Sequence, residues 1–145
     1  MVESLNFEFL RAKHAELADL GGFAEKYVWT DPMGSLVKMR LFAERMVKLI
    51  YETSGFHSNP YDNFIDLLSN DEFKHATPRV VLEKLGALRK YGNKAAHGDS
   101  QGLAATTSNW MLKETYSLAQ WFFMTPPPRR TIHNRHLFRN SGSRF

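Results

Sequence analysis

Apolar residues recur at steps of three and four along most of this chain, which is the spacing of one face of an α-helix. The first such stretch covers residues 5–28. Within it, "DLGG" predicts an end or a kink, because glycine suits the left-handed position that closes a helix, and "FAEKYVW" then forms a second turn or short helix. The next stretch is clearer: Asp31 is the predicted N-cap, Pro32 the first helical residue and Gly55 the end.

Three further segments carry helix signals. Asp62 is a suitable cap for "NFIDLLSN", and the pair Thr77 and Pro78 predicts the start of a helix that Gly98 closes. The last predicted helix covers residues 103–123 and stops at a run of three prolines, since proline removes a backbone donor and clashes with the preceding turn.

No run of alternating β-branched residues is present, so no strand is predicted. Four or five amphipathic helices with short connections indicate an all-α fold, an antiparallel helical bundle. We expect one domain over residues 1–124, followed by a basic, proline- and arginine-rich tail or linker over residues 125–145. Trp110 and Trp121 lie at helical positions and are predicted to be in the core.

The formal net charge of +4 comes from the tail. Residues 125–145 hold five arginines and no acid, and removing them leaves 14 basic side chains against 15 acidic ones. The predicted domain is therefore near neutral, while the tail is a candidate for sequence-independent contact with nucleic-acid phosphates. A solvated linker is the alternative. The tail residues in question are Arg129, Arg130, Arg135 and Arg139, with Arg144 beyond them.

Several classes of function are disfavoured by what the sequence lacks. There is no cysteine, so neither a disulfide framework nor a thiolate metal site is expected, and we predict no metal and no cofactor. The first residues show no secretory pattern, and no segment approaches 18 uninterrupted apolar residues, so no membrane partner is expected. These features are compatible with a cytoplasmic protein.

Arg89, Asn93 and His97 follow one another at steps of four, so on a single helix they share one face. Arg40 and Glu44 have the same spacing on the long helix, and we expect Glu44 to neutralise Arg40 or Arg89. The favoured interpretation is a buried polar network that fixes how two helices pack. The alternative is RNA cleavage, with His97 moving a proton and Arg89 stabilising the charge that develops on phosphorus.

Three stretches resemble a known family. They are "NFEFLRAKHAELADLGGFAEKY", "DPMGSLVKMRLFAERMVKLIYE", and "LGALRKYGNKAAHG" followed by an apolar helix that ends in "AQWFF". Together they look like the DUF4145 domain, which is placed in the HEPN superfamily and occurs at the N-terminus of the R subunit of type I restriction-modification systems. The resemblance covers about residues 5–123, and the DUF4145 motif corresponds to Arg89, Asn93 and His97 with Arg40 and Glu44 on the preceding helix.

The resemblance implies a HEPN-like bundle in a cytoplasmic, DNA-associated defence system. The complete R subunit is an ATP-dependent endonuclease, but no Walker loop, helicase motif or nuclease centre is present here, so this chain alone is expected to be a non-catalytic accessory module. Implied partners are other restriction-modification subunits or domains, a second copy of the chain, and DNA or RNA.

The alternative that the resemblance implies is a metal-independent, toxin-like HEPN ribonuclease that uses Arg89 and His97. Such enzymes usually place the histidine closer to the arginine than the seven intervening residues found here.

Overall fold

The computed structural model describes residues 2–126, and in this range it contains six α-helices and no strand. The predicted all-α fold is confirmed, with more helices than the four or five expected. A short 3₁₀ turn at Glu8–Leu10 precedes the first α-helix. The α-helices are α1 (Ala15–Tyr27), α2 (Pro32–Ser54), α3 (Phe64–Ser69), α4 (Asp71–Ala76), α5 (Arg79–Ala96) and α6 (Ala105–Met124).

The long helix α2 is the centre of the bundle, since α1, α5 and α6 all pack against it. Its predicted ends are confirmed. The Asp31 carboxylate accepts a hydrogen bond from the Gly34 N–H at 3.0 Å, Pro32 lies in the first turn, and Gly55 ends the helix with a φ of 71°. The buried face of α2 consists of Ser35, Leu36, Met39, Phe42, Ala43, Met46, Val47, Ile50 and Tyr51.

The prediction that "DLGG" ends or kinks the first helix is wrong, because Gly21 and Gly22 lie inside α1. A Cβ atom at Gly21 would lie 2.4 Å from Cγ of the Phe7 ring. A Cβ atom at Gly22 would lie 3.2 Å from the carbonyl oxygen of Glu3. The glycines are thus explained by the close passage of the N-terminal segment across α1, and the helix continues unbroken through "FAEKY".

That N-terminal segment is fixed to α1 by two carboxylates. Glu25 accepts hydrogen bonds from the Leu5 N–H at 2.7 Å and from the Ser4 hydroxyl. Asp19 accepts from the Val2 N–H at 3.0 Å and pairs with Arg11 at 2.8 Å. These contacts hold residues 2–7 as a non-helical segment, so the helix predicted to begin at residue 5 begins only at Ala15, after the 3₁₀ turn at Glu8–Leu10.

The region between α2 and α5 is divided into two short helices that were predicted as one. Asn63, not Asp62, is the N-cap of α3, and its side chain and that of Asp66 form a reciprocal capping box. Asn70 ends α3 and caps α4, where it accepts from the Phe73 N–H at 3.2 Å. A second asparagine cap in the middle of the segment therefore accounts for the additional helix.

The predicted start of α5 is shifted by one residue, and its predicted end is confirmed. Pro78 is the N-cap, while the hydroxyl of Thr77 is buried without a hydrogen-bond partner and caps nothing. At the other end, the N–H of Gly98 donates to the Ala95 carbonyl, and the N–H of Asp99 donates to the Lys94 carbonyl. This pair of bonds is a Schellman motif, which requires the positive φ of 75° found at Gly98.

Helix α6 turns a different face to the core from the one expected. The buried face carries Ser108, Met111, Thr115, Leu118 and Ala119. Trp110, which was predicted to be in the core, is 56% exposed, and Trp121 is only partly buried. The pattern was misleading because Ser108 and Thr115 share the buried face with Met111, Leu118 and Ala119, while Trp110 and Trp121 lie outside it. The Ser108 hydroxyl donates to the Pro32 carbonyl at 3.2 Å.

No helix within residues 2–126 is both long enough and apolar enough to cross a membrane. The predicted domain boundary at residue 124 coincides with the last residue of α6. The predicted tail contact through Arg129, Arg130, Arg135 and Arg139 lies outside the described residues, so it stays a prediction.

Candidate functional site

Helices α2 and α5 run antiparallel, and this brings Arg40 against Gly92. At one end, the Tyr51 hydroxyl donates to the Leu67 carbonyl and its ring stacks on Phe73 at 5.5 Å, close to where α5 begins. Further along, a Cβ atom built on Gly92 would lie 2.4 Å from Cβ of Arg40 and 3.0 Å from its Cδ. The side chain of Arg40 therefore lies directly across α5, at a position where only glycine leaves room.

Arg89 lies one helical turn before Gly92, about 4.5 Å along the axis of α5. The Lys84 ammonium forms an ion pair with Glu114 of α6, which shows which side of α5 faces α6. At 3.6 residues per turn, Arg89 is about 140° and Asn93 about 180° around the helix from Lys84. Both side chains are therefore on the side of the α2–α5 contact away from α6. Arg40 of α2 lies across Gly92, and we call the part of the α2–α5 contact that carries Arg40, Arg89 and Asn93 the outer seam.

The hydrogen-bonded network predicted for these residues is not formed. Within residues 2–126, no hydrogen bond or ion pair joins any two of the side chains concerned, which are Arg40, Glu44, Arg89, Asn93 and His97. The expected pairing of Glu44 with an arginine is likewise absent. Glu44 lines a shallow depression shared with Glu16 and Leu20 of α1, which lies away from α5.

The two arginines of the outer seam have an unusual environment. The Nε atoms of Arg40 and Arg89 are both buried, and neither has a hydrogen-bond partner in the described part of the chain. Both side chains are only partly buried, and their terminal nitrogens are not among the buried unpartnered atoms. Within residues 2–126 neither guanidinium group has a carboxylate within 4.0 Å, and only its terminal nitrogens are accessible to a ligand.

His97 is exposed and lies at the C-cap of α5, so it is not a buried member of a network. Its N–H donates to the Asn93 carbonyl at 3.0 Å, and the helix ends immediately after it in the Schellman motif. Arg89 is eight residues earlier, about 12 Å along the axis, and side chains in a helix lean toward its N-terminus. Arg89 therefore leans away from His97, which favours separate contacts over a shared reaction centre within one chain.

Gly92 is the member of this site that the sequence analysis missed. A single glycine inside a strongly helical pattern costs stability relative to alanine, and such a glycine usually has a packing or functional reason. That signal was present in "LRKYGNKAAHG" and would have indicated a close helix contact.

Other residues considered from the sequence fall outside this site. No group of three or more histidine, aspartate or glutamate side chains within residues 2–126 is arranged to hold a metal ion. The exposed Lys90 is beside Arg89 in sequence, whereas Lys94 donates to the Gln101 carbonyl at 2.8 Å. The outer seam is therefore an arginine site rather than part of a lysine-rich face.

Comparison with known proteins gives no match: no family model, no curated protein and no solved structure is similar to this chain. The resemblance to the DUF4145 domain and the HEPN superfamily therefore stays a prediction. What can be argued about function rests on the outer seam and its chemistry.

Proposed function

We propose that this chain is a non-catalytic helical interaction module that binds nucleic-acid phosphates through the outer seam. Following the resemblance, it would serve as an accessory domain of a type I restriction R subunit or a related defence protein in the cytoplasm. The observation that supports the proposal is the pair of partly buried, unpartnered guanidinium groups of Arg40 and Arg89.

A buried donor without a partner costs free energy, and a charged one costs more than a neutral one. The buried Nε atoms are out of reach of a ligand, but the terminal nitrogens of each planar guanidinium group can donate two parallel hydrogen bonds to phosphate oxygens. Asn93 adds an amide donor beside Arg89, and the near-neutral remainder of residues 1–124 keeps the contact local. The expected mode is therefore a small number of backbone contacts without base readout.

The test is the salt dependence of binding to a fluorescent single-stranded oligonucleotide, measured by anisotropy. Two phosphate contacts predict a slope of log K against log salt of about −1.4, and each of Arg40→Gln and Arg89→Gln should reduce it by about 0.7. Arg79→Gln is the matched control, because Arg79 is on the same helix but exposed and paired with Glu83. Wild-type affinity in the double variant Arg40→Gln/Arg89→Gln would refute the proposal.

A version lacking residues 127–145 separates the seam from the tail. If the tail arginines carry binding, this deletion abolishes it and the seam variants bind like the wild type. If the seam carries binding, the deletion leaves both the salt slope and the effect of Arg89→Gln intact.

The second function is metal-independent RNA cleavage, and the exposure of His97 together with the unpaired Arg89 favours it. Because these residues are two helical turns apart, this function needs a second copy of the chain to complete the site. The test is incubation of the purified protein with tRNA and EDTA. Cleavage that is lost in a folded His97→Ala variant supports it, whereas binding without cleavage supports the accessory module.

A further inference from the structure

A pocket of about 230 Å³ lies where three helix ends meet. The residues before α1, the C-terminal part of α2 and the C-terminal end of α6 form its wall. It is separate from the outer seam, since Arg40, Arg89 and Asn93 do not line it. Its main lining residues are Lys13, His14, Ile50, Thr53, Trp121 and Phe122.

The pocket has an apolar side and a basic side. Ile50, Trp121 and Phe122 supply the apolar surface, and the ring of Phe122 lies 5.0 Å from the ring of His14. Lys13 is at the edge, and within residues 2–126 its ammonium group has no carboxylate within 4.0 Å. None of the described residues that line the wall is acidic.

His14 is partly buried, and this burial lowers the pKa of its imidazole. The positive charges of Lys13 and Arg45 lower the pKa further. The ring is therefore neutral near pH 7, with one nitrogen available as a donor and the other as an acceptor. The Thr53 hydroxyl is already used, since it donates to the Leu49 carbonyl at 2.9 Å.

We infer that this pocket binds a small apolar carboxylate, with an aromatic ring against Trp121 and the acid group paired with Lys13. The charge of the wall selects the sign of the ligand, because a cation would meet Lys13 and no counter-charge. The pocket is smaller than the roughly 300–1,000 Å³ typical of sites for drug-sized ligands, which suits one ring with a short acid side chain. Two sources offer this chemistry: a free aromatic acid, or the C-terminal residue of a peptide.

The test follows the indole N–H signals of the ¹⁵N-labelled full chain during titration with phenylacetate. The chain has three tryptophans, and the signal of Trp121 is the one that Trp121→Phe removes. We expect this signal to move with saturation, while the signals of Trp29 and Trp110 stay in place. Phenylacetamide, which lacks the charge, should bind about tenfold more weakly, the effect of losing one charge-assisted hydrogen bond.

Variants test the role of Lys13. Lys13→Met should weaken phenylacetate binding about tenfold, Lys13→Arg should retain it, and Lys48→Met, an exposed lysine outside the pocket, should leave it unchanged. A tripeptide ending in phenylalanine, with a free or an amidated C-terminus, distinguishes the two sources: tighter binding of the free form than of phenylacetate indicates a peptide.

Three results would overturn the inference. They are equal binding of phenylacetate and phenylacetamide, equal shifts of all three indole signals, and no shift of the Trp121 signal up to about 10 mM ligand.

Discussion

The close contact between α2 and α5 can be tested by replacing Gly92 with alanine. The new Cβ atom would lie 2.4 Å from Cβ of Arg40, and side-chain Cβ atoms essentially never approach within 3.0 Å. Both atoms are fixed to helix backbones, so α2 and α5 have to separate. Overpacking of this kind costs about 1–3 kcal/mol, and alanine in a helix returns about 1 kcal/mol relative to glycine. Because the overlap is severe, we expect a net loss of about 2 kcal/mol.

Gly86 provides a matched control on the same helix. A Cβ atom at Gly86 meets nothing within 4 Å, so Gly86→Ala should stabilise the protein by about 1 kcal/mol through helix propensity alone. Urea unfolding followed by circular dichroism gives both values by linear extrapolation. If Gly92→Ala proves as stable as Gly86→Ala, then α2 and α5 do not meet at Arg40 as described, and the account of the outer seam fails with it.

Three further predictions follow from the described contacts. Arg89→Met keeps most of the aliphatic stem and removes an unpartnered buried donor, so the free energy of unfolding should rise by about 1 kcal/mol in thermal or urea unfolding; a loss would show that Arg89 has a stabilising partner. The pKa of Asp19 is lowered by the hydrogen bond from the Val2 N–H and then by Arg11. The ionised carboxylate therefore stabilises the fold above about pH 4, and this stabilisation is lost as the pH falls through the pKa of the folded state. In this pH range the melting temperature should drop in the wild type and less in Asp19→Asn. The pKa of His14 is lowered by burial, so its NMR titration midpoint should lie below 6.5. The free energy of unfolding should decline as the pH falls below 6.5. A midpoint at or above 6.5 would contradict the described packing of His14 against Phe122.

The helix ends that were predicted correctly depend on local chemistry alone. Asp31, Pro32 and Gly55 act within one turn of their own helix, and the same holds for Gly98 in its Schellman motif. Such signals need no knowledge of distant residues, because the cap satisfies backbone groups next to it in sequence. This explains why the all-α fold and the bounds of α2 could be predicted.

The errors occur where a distant residue decides the outcome. Gly21 and Gly22 were predicted to end the helix because glycine often does so. The actual cause, the contact with the ring of Phe7 and the carbonyl of Glu3, cannot be inferred from the neighbouring sequence. Trp110 was predicted to be in the core by size and spacing, yet the buried face of α6 carries Ser108 and Thr115 beside Met111 and Leu118. Such tertiary contacts override local propensity, and a single sequence contains no direct record of them.

For the candidate site, the sequence predicted which helix face the side chains occupy better than which groups they bond to. The spacing of Arg89 and Asn93 placed them correctly on one face of α5, since that depends only on helix geometry. The predicted pairing of Glu44 with Arg40 or Arg89 depended on the rotation of α2, which turns Glu44 toward the depression shared with α1. His97 is exposed at the C-cap of α5, so it does not join Arg89 and Asn93 in a buried network.

The environment of Arg40 and Arg89 links the stability of the bundle to its proposed role. If an arginine only stabilises the fold, truncating it should lower the free energy of unfolding of the protein. Arg40 and Arg89 are different, because each leaves a buried Nε atom without a partner. Natural proteins retain such unfavourable groups mainly where function uses them. Arg89→Met should therefore raise the free energy of unfolding and weaken oligonucleotide binding in the same protein. A purely structural arginine would give a loss of stability with unchanged binding, so measuring both properties in this one variant distinguishes the two roles.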